Sequence, residues 1–168
     1  VAGVYWRDQD EQLLRQYTYA DGDFTSDFAT SNQAVYGQLD TQLSDALTLT
    51  SGLRFEQRSA DYIDSDAVAH DVDESLWGGR IALNYQLTDQ TMVYGLISRG
   101  YKAGGVNSDP SLSAEDREFD TEIMWNLETG AKGLWLDGQL QAQVAAFYQK
   151  RDDIQIKQSL VQSREDSE

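Results

Sequence analysis

The feature that most constrains this chain is an alternation of apolar and polar residues that recurs along most of its length. In the stretch LTLTSGLRFE, residues 47–56, the odd positions are mostly apolar and the even positions are polar or small. Successive side chains of a β-strand point to opposite faces of the sheet, so this pattern predicts a strand with one apolar and one polar face. The apolar face needs cover, which either a protein core or lipid can provide.

The same alternation marks seven segments, most of them about a dozen residues long. Strands of soluble proteins usually have about 5–6 residues, whereas about 9–11 tilted residues cross the hydrocarbon core of a bilayer. The lengths therefore favour membrane-spanning strands with short extensions over the strands of a soluble sandwich. The seven predicted strands cover residues 1–7, 32–43, 47–58, 75–87, 91–102, 120–133 and 139–151.

The connections between these segments alternate between short and long. The short ones, at 44–46, 88–90 and 136–138, each contain an Asp, whose carboxylate is expected to accept a hydrogen bond from a backbone N–H two residues on. The long ones are acidic and cover residues 8–31, 59–74 and 103–119. Short turns on one side and long loops on the other are typical of outer-membrane barrels. The predicted fold is all-β: an antiparallel up-and-down meander that forms a partial transmembrane β-barrel, with short periplasmic turns and long extracellular loops.

Charged residues keep to the polar phase of the alternation in most segments. A Lys or Arg facing lipid near the bilayer midplane costs about 2–4 kcal/mol, so the phase that turns these charges away from lipid is favoured. In residues 91–102 we assign Val93, Gly95 and Ile97 to the outward face, which places Arg99 outward as well, but near the interface, where the penalty falls to about 0–1 kcal/mol. The inward charges are candidates for contact with a ligand or a plug, and equally for pairing with one another across strands. The lumen-facing candidates are Arg54, Glu56, Arg80, Glu128 and Lys132.

Aromatic side chains gather near the predicted strand ends, where a membrane barrel has its interfacial girdle. No segment shows a helical period, so the apolar faces can pack against lipid or against each other, and against nothing else. The aromatic residues near strand ends are Tyr5, Trp6, Phe55, Trp77, Tyr101, Trp135 and Tyr148.

Composition argues against several classes of function. The net charge of −16 would repel nucleic acid, and it argues against docking on anionic lipid headgroups through a basic patch. With no Cys and one His, a catalytic triad and a Cys nucleophile are not expected, and neither is an enzyme. No cofactor and no metal site is predicted, because His70 is expected to be a solvated loop residue and the acidic loops lack EF-hand spacing. The glycines of GYKAGG, residues 100–105, are expected to supply unusual backbone angles at a strand end.

Two stretches resemble the TonB-dependent outer-membrane receptors. SRGYKAGGVN at 98–107, followed by NLETGAKGLWLDGQLQAQVAAFYQKRDDIQI at 126–156, is similar to strands of that family's barrel and the periplasmic turn that joins them. QAVYGQLDTQLSDALTLTSGLRFE at 33–56 is similar to a pair of its strands with a Gly-Leu-Arg ending. The resemblance covers most of residues 32–157, and its motifs are specific in combination.

The resemblance implies a receptor that imports a scarce ligand, most often a ferric siderophore, with energy relayed by TonB from the inner membrane. The family's barrels have 22 strands and a lumen plugged by a separate N-terminal domain. Residues 1–168 are then expected to be a middle-to-late segment of one barrel domain, without the plug, the TonB-contacting part or the closing C-terminal strands. The implied partners are the plug of the same full-length chain, the TonB complex, outer-membrane lipid and the ligand. No ligand-binding residue is carried over, because the family recognises ligands through variable loops.

Two other interpretations remain open at this stage. A passive outer-membrane porin would share the alternation and the aromatic girdle, but its full-length gene would encode no plug. A soluble β-sandwich binding module would instead bury the apolar residues against a second sheet. The packing of Leu49, Leu53, Ile81 and Leu83 therefore discriminates the sandwich from the barrel.

Overall fold

One long antiparallel sheet dominates the computed structural model, which describes residues 1–16, 22–109 and 112–156. The elements in chain order are β1 (Ala2–Gln16), β2 (Asp23–Ser44), β3 (Leu47–Asp64), β4 (Ala69–Thr88), β5 (Thr91–Lys102), β6 (Gly105–Val106), α1 (Ala114–Arg117), β7 (Glu118–Phe119), β8 (Glu122–Trp135) and β9 (Leu140–Asp152). The seven long strands pair in the order β1-β2-β3-β4-β5-β8-β9, and β6 and β7 form a small separate hairpin. In the part of the chain just delimited, no helix is long and apolar enough to cross a membrane.

The predicted meander is confirmed, with a strand at each of the seven predicted segments. The first four strands are longer than expected: β2 has 22 residues and β4 has 20. They extend into residues 8–31 and 59–74, which the sequence indicated as long connections. The register continues without a break from Phe55 opposite Trp77 to Tyr62 opposite His70. The strands remain paired in this region, but most of their outward-facing residues are polar. The alternation of apolar and polar residues therefore stops before the strands do, and the predicted strands were too short.

The pairing register gives the sheet one polar face and one apolar face. On the polar face, Arg54 of β3 stands opposite Tyr36 of β2 and Gly78 of β4. On the apolar face, Leu49 and Leu83 are opposite one another. The buried residues of β3 and β4 all lie on the polar face, where side chains pack closely together. Side chains on the apolar face are more exposed.

The apolar face has no protein layer against it among the described residues. Leu53, Ile81 and Leu83 expose 46%, 56% and 44% of their surface, and Leu127 exposes 59%. A soluble sandwich would bury these side chains under a second sheet, and the described long strands all belong to one sheet. The sandwich interpretation is therefore wrong, and hydrocarbon is the solvent that fits this surface.

The apolar face is limited to a band. On β3 it runs from Leu47 to Phe55, after which the next three outward residues, Gln57, Ser59 and Asp61, are polar. Nine residues of strand with a rise of about 3.3 Å each, tilted in a barrel, match an outward apolar band of about 25 Å. Arg99 does lie on this face, opposite Gly79 and Trp125, at the boundary on the side of the long connections.

The short turns use a different hydrogen bond from the one predicted. Ser44 accepts from the backbone N–H of Ala46 at 3.4 Å, and Thr88 accepts from that of Gln90 at 3.3 Å. The hydroxyl oxygen before each Asp therefore does what the Asp carboxylate was expected to do, as in other Ser/Thr turns. The third turn is different, because all three residues of 136–138 have positive φ, between 52° and 87°.

A charge placed on the apolar band tests the assignment of the faces. We expect Ile81→Arg to lower the free energy of unfolding of the lipid-embedded barrel by about 2–4 kcal/mol, because a guanidinium near the midplane must face hydrocarbon. Asn84→Arg adds the same side chain to the opposite face of the same strand and should cost much less. Urea unfolding in liposomes measures both, and equal losses in the two variants would contradict the assignment.

Candidate functional site on the polar face of the sheet

The five charged candidates from the sequence all fall on the polar face. Arg54 and Glu56 come from β3, Arg80 from β4, and Glu128 and Lys132 from β8. Their register partners lie on the same face, so the five share one surface although they are spread along 79 positions of the chain, from 54 to 132. Whether any of them contacts a ligand stays a prediction.

Glu56 is the centre of the first cluster. Its carboxylate accepts hydrogen bonds from the Arg54 guanidinium at 2.7 Å, the Tyr101 hydroxyl at 2.7 Å and the Asn32 amide at 2.7 Å. The side chain is 10% exposed. A carboxylate this deep requires several donors to replace water, and here β2, β3 and β5 each supply one. The cluster therefore joins non-adjacent strands across the polar face.

Aromatic rings surround the Arg54 guanidinium. Its central carbon lies 5.1 Å from the centroid of the Tyr5 ring and 6.0 Å from that of Tyr36, within the range of cation–π attraction. Tyr5 and Tyr101 were predicted to belong to the interfacial girdle, but both turn to the polar face, where the charged cluster gives their rings and hydroxyls partners. That part of the girdle prediction is wrong.

Glycines make room for these rings. The Tyr101 ring lies against Gly78, where an added Cβ would be 3.2 Å from a ring carbon, and the Tyr36 ring covers Gly3 even more closely. A tyrosine ring can lie flat along the sheet only where the neighbouring strand has no side chain. The glycines thus determine where the rings stand, and the rings in turn hold the charged groups.

The second cluster repeats this arrangement on β5 and β8. The Tyr94 ring lies over Gly130, and its hydroxyl donates to Glu128 at 2.6 Å. The Lys132 ammonium stands 5.2 Å from the centroid of the same ring. Glu128 and Lys132 are therefore both engaged by one tyrosine of the neighbouring strand, which differs from the direct pairing of charges that the sequence left open.

Arg80 differs from the other four candidates. It is exposed in the middle of the polar face and makes no hydrogen bond or ion pair with any residue the structure describes. Its stem passes close to Gly52, with the Cγ 3.4 Å from the place where a Cβ would stand. The sheet therefore supports the side chain, and the charge, which attracts Asp40 without contacting it, is open to a group outside this segment.

A third cluster, which the sequence analysis missed, ties the connection between β5 and β8 to the tip of the β3–β4 hairpin. Arg117 is 3% exposed and pairs with Asp64, whose side chain is fully buried. Asp64 also accepts from the Tyr62 hydroxyl at 3.0 Å and from the backbone N–H groups of Asp66 and Val68. Burial raises the pKa of Asp64, but these hydrogen bonds and the Arg117 charge outweigh it and leave the pKa below its ordinary value. A lone Arg within an acidic connection was the available signal for this cluster.

His70 is not the solvated loop residue that was expected. It lies in β4 opposite Tyr62, its side chain is 15% exposed, and its Nδ1 is 3.0 Å from a carboxylate oxygen of Glu118. Within residues 1–16, 22–109 and 112–156, no three His, Asp or Glu side chains are grouped so as to hold a metal ion.

The glycines of residues 100–105 do not have the role that was expected. None of them has a positive φ, a conformation that is limited among the described glycines to Gly22 and Gly138. Gly104 is needed for close approach instead, because a Cβ there would stand 2.6 Å from the carbonyl oxygen of Phe119 and 2.9 Å from a carboxylate oxygen of Glu74. Close packing, and not backbone angle, therefore explains this glycine.

Comparison with known proteins gives one consistent result. Residues 1–167 match the model of the family described as TonB dependent receptor-like, beta-barrel. The chain is 30% identical to the pesticin receptor of Yersinia enterocolitica and 29% identical to that of Yersinia pestis, in each case over 93% of this chain and 24% of the relative. It thus spans about a quarter of the length of the curated relatives it matches.

Two solved structures have similar folds. The ferric yersiniabactin uptake receptor FyuA from Yersinia pestis superposes with a TM-score of 0.76 at 26% identity, over 92% of this chain and 26% of that one. The alcaligin outer-membrane receptor FauA from Bordetella pertussis gives a TM-score of 0.61 at 14% identity, over 91% of this chain and 30% of that one, which is a likeness of fold alone.

The buried pair of Asp64 and Arg117 predicts a pH dependence. A carboxyl group whose pKa is lower in the folded state stabilises the fold above its unfolded pKa, and that contribution disappears as pH falls through the folded value. We therefore expect Asp64→Asn to be less stable than the parent at pH 7, and the difference to shrink below about pH 4, the ordinary range of Asp.

Urea unfolding of parent and variant between pH 7 and pH 2.5 measures this difference. Asp61→Asn, which changes an exposed residue of the same strand, is the matched control and should run parallel to the parent. A stability gap that stayed constant over the whole pH range for Asp64→Asn would show that the carboxylate charge is not what stabilises this cluster.

Proposed function

The chain belongs to the TonB-dependent receptor β-barrel family, and on that premise we propose that the complete protein imports a ferric siderophore or a similar iron complex across the bacterial outer membrane. The observation that carries the proposal is the 30% identity to a pesticin receptor over nearly the whole chain, together with the fold shared with a ferric yersiniabactin uptake receptor. The barrel strands place the chain in the outer membrane.

The proposal extends to the rest of the protein. Residues 1–168 are a segment of one barrel domain, and the segment's two partners inside the same chain are the remaining strands and a plug that fills the lumen. The TonB complex acts on the N-terminal part, outer-membrane lipid covers the apolar band, and nucleic acid has no role. The polar face supports this arrangement, because its charges and tyrosines suit a wet, crowded interior better than an open aqueous channel.

Arg80 is the residue on this segment that we expect to contact a partner. The Arg54–Glu56 and Glu128–Lys132 clusters are satisfied by their own neighbours and support the wall of the barrel. Its exposed guanidinium forms no hydrogen bond or ion pair with the described residues, so an acceptor from elsewhere can pair with it without first breaking a contact. The plug and an anionic iron complex both offer such an acceptor.

A passive porin remains the second candidate, and an enzyme is not proposed. The relatives are receptors. A porin differs from the proposed importer in needing neither a plug nor an energy source. The dependence of transport on TonB therefore separates the two.

Iron uptake by the complete protein tests the proposal. Expressed in a host without siderophore receptors of its own, the full-length protein should accumulate radioactive iron supplied as ferric yersiniabactin, and deletion of the host's TonB should abolish that uptake. Uptake that persists without TonB would favour the porin. TonB-dependent uptake of a ligand that carries no iron, with no uptake of ferric siderophores, would retain the receptor and overturn the proposed ligand class.

The contact proposed for Arg80 has its own test. Arg80→Gln should lower the uptake rate about tenfold, equivalent to about 1.4 kcal/mol, without lowering the stability of the barrel, because the side chain forms no hydrogen bond or ion pair with the described residues. Arg7→Gln removes the same charge from the same face nearer the long connections and serves as the control. Parent-like uptake by Arg80→Gln would contradict the contact.

A further inference from the structure

The lipid-facing side of the sheet carries two cations, and the register brings them together. In the seven described long strands every other Lys and Arg falls on the polar face, whereas Arg99 of β5 and Lys150 of β9 fall on the apolar one. Both stand directly opposite Trp125 of β8, one on each side of it. In a chain with a net charge of −16, two neighbouring outward cations are not accounted for by composition.

Tryptophans hold Arg99 in place. Its guanidinium carbon lies 4.2 Å from the centroid of the Trp77 ring, and the guanidinium donates a hydrogen bond to the Trp77 carbonyl oxygen. The Trp77 and Trp125 rings meet edge to face, with centroids 6.1 Å apart. A stacked guanidinium keeps its remaining N–H groups directed along the surface, because one ring covers its flat side.

Lys150 completes the group from the other side of Trp125. Its side chain is 63% exposed, and its ammonium is 2.9 Å from a carboxylate oxygen of Asp152, itself 43% exposed. An exposed pair of this kind is weak, so the ammonium remains available to a stronger acceptor. The acidic side chains that face outward elsewhere, such as Asp61 and Asp73, belong to the extensions of β3 and β4.

The position of these four residues (Arg99, Lys150, Trp77 and Trp125) determines which molecules can contact them. Directly below lie Ile97 and Leu127, opposite one another in register and 45% and 59% exposed, where the bilayer's hydrocarbon is the neighbour. The group sits at the upper boundary of the apolar band, on the side of the long connections, which faces the cell exterior. A molecule that touches both parts must have acyl chains below and an anionic head at the level of the tryptophans.

We propose that Arg99 and Lys150, with Trp125 between them and Trp77 stacked on Arg99, bind the phosphate group of an anionic lipid in the outer leaflet. The guanidinium and the ammonium each donate to phosphate oxygens, the indole rings pack on the lipid backbone, and the acyl chains lie along Ile97 and Leu127. The site concerns the outer wall of the barrel and does not depend on which ligand the receptor imports.

Native mass spectrometry of the full-length receptor in nanodiscs tests the site, using a bisphosphorylated glycolipid and its enzymatically dephosphorylated form as probes. The parent should retain the phosphorylated lipid preferentially. Arg99→Gln/Lys150→Gln should weaken that binding about 25-fold, at about fivefold for each cation near a charged membrane surface. Arg99→Lys/Lys150→Arg keeps both charges and should bind within a few-fold of the parent.

Arg7→Gln/Lys132→Gln is the matched control, because it removes two charges from the opposite face and should leave lipid binding unchanged. Heat-modifiable migration on gels establishes that each variant is a folded barrel. Equal lipid retention by the parent and by a folded Arg99→Gln/Lys150→Gln variant would overturn the proposal. So would displacement of the lipid by millimolar inorganic phosphate, which would identify an anion site that does not need a membrane.

Discussion

The constraint on which the rest of this structure depends is that hydrocarbon cannot hydrogen-bond to a peptide group. A strand that crosses a bilayer must satisfy every backbone N–H and C=O through its neighbours, and a continuous ladder of paired strands does so. Once the ladder is required, alternate side chains are divided between lipid and lumen, and the exposed leucines on one face and the buried charges on the other follow from the same requirement. Evolutionary selection for contact with lipid on one face, or for the properties of the lumen on the other, therefore acts on every second residue.

The polar face shows how a charged surface can be packed without a conventional apolar core. Glu56 and Glu128 are each held by a tyrosine hydroxyl, and each of those tyrosines lies on a glycine of the adjacent strand. The glycines contribute by having no side chain, so the rings can lie close to the sheet and reach a carboxylate. A charged residue that fits into such an arrangement supports the wall, and one that does not fit, such as Arg80, is available for other contacts.

Sequence reasoning succeeded where periodicity carries the information. The alternation in 47–56 and its equivalents established the strands, the faces and the outward position of Arg99, because those follow from a period of two and the cost of charge in lipid. It failed for the extension of β3 to Asp64, where the strands stay paired but most residues on both faces are polar, so that composition resembles a loop. It could not find the Asp64–Arg117 pair, whose members are 53 positions apart, nor predict which way Tyr5 and Tyr101 turn.

The extension of β3 beyond Phe55 has a consequence for encounters outside the cell. Nine further residues at about 3.3 Å each carry the hairpin about 30 Å above the membrane surface along the strand direction. A macromolecule or small solute that approaches from the medium therefore meets acidic, hydrogen-bonded β-strands instead of a flexible loop. Docking against such a rim requires little ordering of the chain, so less of the favourable contact energy is consumed in fixing conformation.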